Sequence, residues 1–184
     1  MSEIIIRQGD SAKPRSADFL PVILILDHLR SAYNTGNIFR LAEATRAEKI
    51  LACGYTPAPP HEKLAKTARG CEASVACEVF PDAVSAILPL KAQGYCIYGI
   101  ETADKAEYYW QTKLHFPAAL VLGNEALGIS EAALPLCDHF ISLPALGEKN
   151  SINVGNCAAV VLFDALKQWL QRKDTPRKQT LPNF

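Results

Sequence analysis

Short unbroken apolar runs alternate along the chain with longer stretches in which apolar residues recur every three or four positions. The run at 21–26, PVILIL, is rich in β-branched residues and predicts a strand buried on both faces, as in a parallel sheet. Runs at 49–53, 75–80, 95–100, 118–122 and 139–143 predict further strands. Helical patterns separate them. Asn34 stands as an N-cap for NTGNIFRLAEATRA, with Ile38, Leu41, Ala42 and Thr45 toward the sheet. Residues 61–69 form a short basic helix or loop, with Lys63, Lys66 and Arg69 three apart. Pro81 suits the first turn of a helix over 82–93 that Gly94 ends, and 131–136 is also expected to be helical. In the last helix, Val154, Ala158, Val161, Leu162, Ala165 and Trp169 fall on one stripe. Residues 102–116 are polar and hold Tyr108, Tyr109 and Trp110. Strands alternating with helices predict an α/β fold with a mainly parallel sheet flanked by helices.

Composition fits one domain of 184 residues, 49% apolar and 21% charged. That domain is expected over 21–172, between a loose arm at 1–20 and a basic, flexible tail at 173–184. Formal net charge is zero, so affinity for nucleic acid must come from a local basic face. The six cysteines have no C-x-x-C spacing and no paired histidines, and most sit in apolar segments. They read as core residues in a reducing compartment, with no metal site. The first residues do not resemble a signal peptide, and no apolar run approaches a membrane span. A cytoplasmic protein without membrane contact is the expectation.

Candidate chemistry gathers at three places. Gly123–Ser130 follows a predicted buried strand and matches the first half of a phosphate loop, but Ile129 stands where the lysine belongs, which argues against a nucleotide hydrolase. No G-x-G-x-x-G follows the first strand, so a dinucleotide fold is disfavoured. What remains is a Gly-containing turn with one carboxylate, Glu125, at a strand end, where α/β proteins bind ligands. Ser151 and Asn153 sit where a polar loop becomes the last helix, as caps or as the floor of a ligand site. Arg40 lies six residues after Asn34, as a solvated helical arginine or as the cation of a polar constellation.

Taken in order, Asn34-x-Gly36-x-x-x-Arg40, Leu120-Val121-Leu122-Gly123-Asn124-Glu125-x-x-Gly128-Ile129, and Leu143-Pro144 with Ser151-Ile152-Asn153-Val154 resemble the three motifs of the SPOUT superfamily. More narrowly they are similar to its SpoU or TrmH-like RNA ribose 2′-O-methyltransferases, and 66–72, KTARGCE, resembles that family's basic loop. The likeness covers about residues 20–170. It implies a C-terminal deep trefoil knot, a homodimer with the first and last helices near its interface, and S-adenosylmethionine bound in the knot loops.

The resemblance also implies roles. Arg40, Asn34, Glu125, Ser151 and Asn153 become the catalytic set, and Leu122, Gly123, Asn124, Gly128, Ile141, Leu143, Ser151 and Ile152 hold the cofactor. RNA, a tRNA before an rRNA, is expected on Arg30, Arg40, Lys63, Lys66 and Arg69. A guanidinium stays charged, so the physical role for Arg40 is to bind phosphate and stabilise a developing alkoxide. Two departures stand out. Arg46 occupies the place of a helix-ending glycine, where a left-handed arginine would be strained, so a different helix end is expected. Gly155 follows the last motif, weakening the helix while permitting close approach. The rival readings are a non-catalytic RNA-binding protein on the same scaffold and a base methyltransferase of the same superfamily.

Overall fold

The computed structural model describes residues 19–149 and 151–174. Of the arm expected at 1–20 and the tail expected at 173–184, residues 1–18 and 175–184 lie outside the described residues. In chain order the elements are β1 (Leu20–Asp27), α1 (Ala32–Thr45), β2 (Ala47–Cys53), α2 (Glu62–Ala68), β3 (Cys77–Phe80), α3 (Ala83–Ala92), β4 (Cys96–Ile100), β5 (Glu107–Tyr108), β6 (Ala118–Leu122), β7 (His139–Ser142) and α4 (Val154–Asp174). The strands form one sheet in the order β3-β2-β1-β6-β4-β7-β5, and every pairing is parallel.

Both faces of the sheet are covered, which is why its central strands are apolar without alternation. In β1 the side chains Val22, Leu24 and Leu26 point to one face, against Ile38, Phe39 and Ala42 of α1 and Ala158, Val161, Leu162 and Ala165 of α4. Ile23 and Ile25 point to the other, against Ala83, Ala86, Ile87 and Leu90 of α3. Each such Val, Leu or Ile stabilises the fold by about 1.5–3 kcal/mol relative to exposure. The predicted stripe on α4 is therefore the face turned to the sheet, with Val154 and Trp169 partly buried at its two ends.

Several expectations are corrected. Helix α1 starts at Ala32, and its N-cap is Ser31, not Asn34; the Ser31 hydroxyl accepts from the Asn34 backbone N–H at 3.3 Å. Pro81 precedes the α3 cap, Asp82, instead of entering the first turn. Residues 131–136 form turns and one short 3₁₀ helix, Leu134–Leu136, because Pro135 lies inside the segment and cannot continue an α-helical ladder. Helix α1 does end at Arg46 in the left-handed region, at φ 54°. Hydrogen bonds from its backbone N–H to Ala42 and Glu43, and its guanidinium 5.0 Å over the Phe19 ring, offset a conformational cost of about 1–2 kcal/mol. The polar stretch 102–116 contains the two-residue edge strand β5. Leu20 opens the first strand and Asp174 ends the last helix.

The register of the sheet places the site. Leu26 pairs with Leu122, Leu122 with Ile100, and Ile100 with Ile141. These four residues form one row near the carboxyl ends of β1, β6, β4 and β7, and the loops beyond that row carry the polar residues of the motifs.

Candidate active site

The loop after β6 folds back on itself. Asn124 and Gly128 exchange backbone hydrogen bonds of 2.9 Å in both directions. A Cβ on Gly123 would lie 2.3 Å from the Gly128 carbonyl carbon and the Ile129 nitrogen, so only glycine permits this turn. The buried Asn124 side chain holds the turn from within. Its amide donates to the His28 carbonyl at 2.6 Å and to the Tyr55 hydroxyl at 2.9 Å, and its oxygen accepts from the Ala126 and Leu127 N–H groups. Asp27, 1% exposed, fixes the far end of the loop by accepting from the Ser130 N–H at 2.8 Å while pairing with His28 at 2.6 Å. Asn124 therefore shapes the wall of the site, with its polar atoms turned inward.

Glu125 ties three elements together. Its carboxylate accepts from the backbone N–H groups of Arg30 (2.9 Å) and Ser31 (3.1 Å) and from the Asn34 amide (2.8 Å). The Asn34 oxygen in turn accepts from the Asn153 amide at 3.1 Å. The Asn153 oxygen caps α4 by accepting from Gly155 at 3.0 Å and Asn156 at 3.4 Å. Burial pushes the Glu125 carboxyl upward, but the bonds from Arg30, Asn34 and Ser31 outweigh it and hold the group below the usual carboxylate range. The glycine after the last motif has a visible purpose, since a Cβ on Gly155 would come within 2.9 Å of the Asn37 amide where α4 meets α1.

Between these loops lies a cleft of about 460 Å³. All eight residues assigned to the cofactor line it: Leu122, Gly123, Asn124, Gly128, Ile141, Leu143, Ser151 and Ile152. Glu125 and Asn153 lie on its rim side, while Ser151 is exposed. Sequence reasoning missed Ile100, Glu101, Thr102 and Cys157, which also line the cleft. Glu101 could have been found, because it follows a predicted strand just as the Gly123–Glu125 turn does. Burial, and then the Glu101 carboxylate, hold the Cys157 thiol above its usual range, so this cysteine is a protonated wall residue and not a nucleophile.

Arg40 stands apart from this cluster. Its side chain is exposed and forms no salt bridge among the described residues. It shares a helix face with Gly36, four residues earlier, and that face meets α2 at Leu64, Thr67 and Ala68. Asn34 and Asn37 face α4 instead. Arg40 lies about 9 Å along the helix from Asn34, on the side of the exposed Lys63, Lys66 and Arg69. Lys66 is paired with Glu62 at 2.6 Å, and Arg69 ends α2 at φ 54°. Arg30 is exposed beside Glu125. The chain thus has a cleft bounded by the Glu125–Asn34–Asn153 chain and, apart from it, exposed Arg40 on the α1 face that meets α2, where Glu43, Glu62 and Glu72 lie among the basic residues. No helix among the described residues is long and apolar enough to cross a membrane.

The chain is 33% identical over 161 residues to an uncharacterized tRNA/rRNA methyltransferase of Synechocystis, covering 85% of this chain and 40% of that protein. It is 31% identical over 156 residues to a tRNA (guanosine(18)-2′-O)-methyltransferase of Thermus thermophilus, covering 84% of this chain and 79% of that one. The crystal structure of the SpoU methyltransferase AviRb from Streptomyces viridochromogenes with the cofactor AdoMet matches with a TM-score of 0.74 and 25% identity, over 86% of this chain and 63% of that chain. Against three of its curated relatives the chain spans 63%, 40% and 59% of their lengths. The family model for SpoU rRNA methylases matches residues 21–163, which is most of the sheet, both site loops and half of the last helix, and on that match the chain belongs to the SpoU rRNA methylase family.

Proposed function

We propose that this protein is an S-adenosylmethionine-dependent methyltransferase that modifies a ribose 2′-hydroxyl of RNA, a tRNA before an rRNA. One observation carries the reading: the cleft at the ends of β4, β6 and β7 opens beside the Glu125–Asn34–Asn153 chain, and an exposed arginine lies further along the same helix. The cleft suits the donor. Its volume is that of a small-molecule site, and Ile100, Leu122, Ile141 and Val154 give it apolar walls. Residues of the Gly123–Gly128 turn line one side of it. Leu122, Gly123, Asn124, Gly128, Ile141, Leu143, Ser151 and Ile152 would hold the donor, which supplies an already activated methyl group on a sulfonium.

The residues of this chain then have an electrostatic and positional task. A ribose hydroxyl is a poor nucleophile at neutral pH, so its orientation and its developing negative charge decide the rate. Arg40 does not line this cleft, so in this reading it binds a substrate phosphate and steadies the alkoxide at the cleft of a partner subunit, across the homodimer. Asn34 and Glu125 orient the start of α1 that carries it, and Ser151 and Asn153 set the loop entering α4. Arg30, Lys63, Lys66 and Arg69 extend the same charge toward the RNA backbone. The tRNA preference rests on the Thermus relative, which this chain matches over most of both lengths.

A C-terminal trefoil knot belongs to the same reading. Strand β7 lies between β4 and β5, while residues 109–117 return from β5 to β6 on the other side of β4. Gln168 of α4 grips that returning segment, accepting from the Leu114 N–H at 2.9 Å and donating to the Thr112 carbonyl at 3.0 Å. A homodimer through α1 and α4 is supported by their exposed Tyr33, Phe163 and Leu170.

The test is methyl transfer from labelled S-adenosylmethionine to total tRNA and to rRNA, with the modified nucleoside identified by mass spectrometry. A 2′-O-methylated nucleoside is the expected product, and methyl on a base would overturn the ribose assignment. Arg40→Ala should lower turnover by at least about 100-fold with donor affinity nearly intact, a loss of transition-state stabilisation. Full activity in that variant removes Arg40 from the mechanism.

A further inference from the structure

The charge on the cleft wall is one-sided. Among its described lining residues the charged ones are Glu101 and Glu125, with no Lys, Arg or His beside them. Glu125 is engaged by three donors and turned toward α1. Glu101 is engaged differently. One oxygen accepts from the Thr102 N–H at the end of its own strand, at 3.0 Å, and the other from the Ile129 N–H of the opposite loop, at 3.2 Å. A carboxylate has about four acceptor sites, so each oxygen keeps capacity to spare. No basic side chain pairs with Glu101 among the described residues.

The opposite loop is built around this carboxylate. Gly128 sits at φ 72°, and a Cβ there would lie 2.4 Å from the Glu101 oxygen that Ile129 holds. The approach therefore depends on glycine at 128, and it fixes Glu101 in the wall between the two loops.

We propose that Glu101 is a specificity-determining residue that makes the cleft prefer the positively charged sulfonium donor to the neutral thioether left after transfer. This rests on the donor reading given above. The donor and the thioether product share an adenine, a ribose, an ammonium and a carboxylate, and they differ by one methyl group and one positive charge at sulfur. An apolar wall binds both about equally. A fixed carboxylate near the sulfur favours only the donor, and its attraction disappears once the methyl has left. Product release is then assisted by the chemistry itself.

The experiment is calorimetric titration of the purified full chain and of Glu101→Gln with S-adenosylmethionine and with S-adenosylhomocysteine. Glutamine keeps nearly the same shape and one acceptor oxygen. The donor should bind about tenfold more weakly in the variant, the size of one charge interaction in a partly solvated cleft, while the product changes by less than about twofold. Loosening of the loop would weaken both ligands together, so the ratio of the two affinities is the readout. An unchanged ratio overturns the proposal, including the case in which Glu101 meets the ammonium that both ligands carry. If the unaltered protein binds neither ligand, the donor reading fails and takes this inference with it.

Discussion

Glu125 shows what one side chain contributes when its partners are backbone donors. It joins the loop after β6 to the start of α1, and its three bonds favour the charged form. A carboxyl held below its unfolded value, about 4.3 for glutamate, adds stability above that pH and loses it as pH falls through the folded value. Because the side chain is exposed, solvent screens the effect, and about 1 kcal/mol is a reasonable size. Glu125→Gln should therefore unfold in less urea than the parent at neutral pH, with the gap closing below about pH 4. An equal gap at both pH values would mean that the bonds act through shape and not through charge. At the same scale, Ser31 and Asn34 are both good capping residues three apart, and the sequence does not choose between them. Serine is the cap, and Asn34 lies inside the helix with its oxygen accepting from Asn153 and its amide donating to Glu125, 91 residues away.

Helix α1 lies against α2 only because Gly36 has no side chain. A Cβ there would meet the Thr67 Cβ at 2.7 Å, the Leu64 carbonyl oxygen at 2.9 Å and the Ala68 nitrogen at 3.0 Å. Two effects oppose each other in Gly36→Ala. Helix propensity favours alanine by about 1 kcal/mol. Overpacking costs about 1–3 kcal/mol, toward the upper end where the obstacle is backbone that cannot rotate away. The variant should lose stability, read as a lower midpoint in thermal unfolding followed by circular dichroism. A raised midpoint would show that the two helices separate freely. Because Arg40 shares this face, the same crossing sets where the arginine stands relative to α2.

At the scale of the molecule, a formal net charge of zero leaves any attraction for RNA to exposed cations such as Arg40 and those of α2, set among the carboxylates Glu43, Glu62 and Glu72. Lys63 and Arg69 are exposed there, while Lys66 shares its charge with Glu62. RNA binding through these cations should weaken steeply with salt. Replacing Lys63 and Arg69 together by alanine should reduce the slope of log Kd against log salt by about one for each phosphate that is no longer neutralised. Filter binding across a salt series measures it, and an unchanged slope would place the RNA elsewhere on the protein.

Local chemistry was enough to identify six of the seven strands, the long helices and the parallel class, each of which depends on periods of a few residues that sequence displays directly. The three motif segments were legible through their resemblance to a known family. The expected cofactor positions also form one cleft, because parallel strands bring their following loops to one edge. Other features depended on contacts between distant segments. The two-residue β5 exists because β7 offers it an edge, and two residues carry no period. Glu101 became a wall residue only when Gly128 let the opposite loop close on it. Arg46 keeps its left-handed turn through cap bonds and an aromatic ring from a neighbouring segment. Sequence by itself determined which stretches would be strands, helices and functional loops, because propensity and periodicity act within a few residues. Only the tertiary structure decided which donor meets which acceptor, because those partners lie as far apart as 119 residues in the chain and are joined by packing alone.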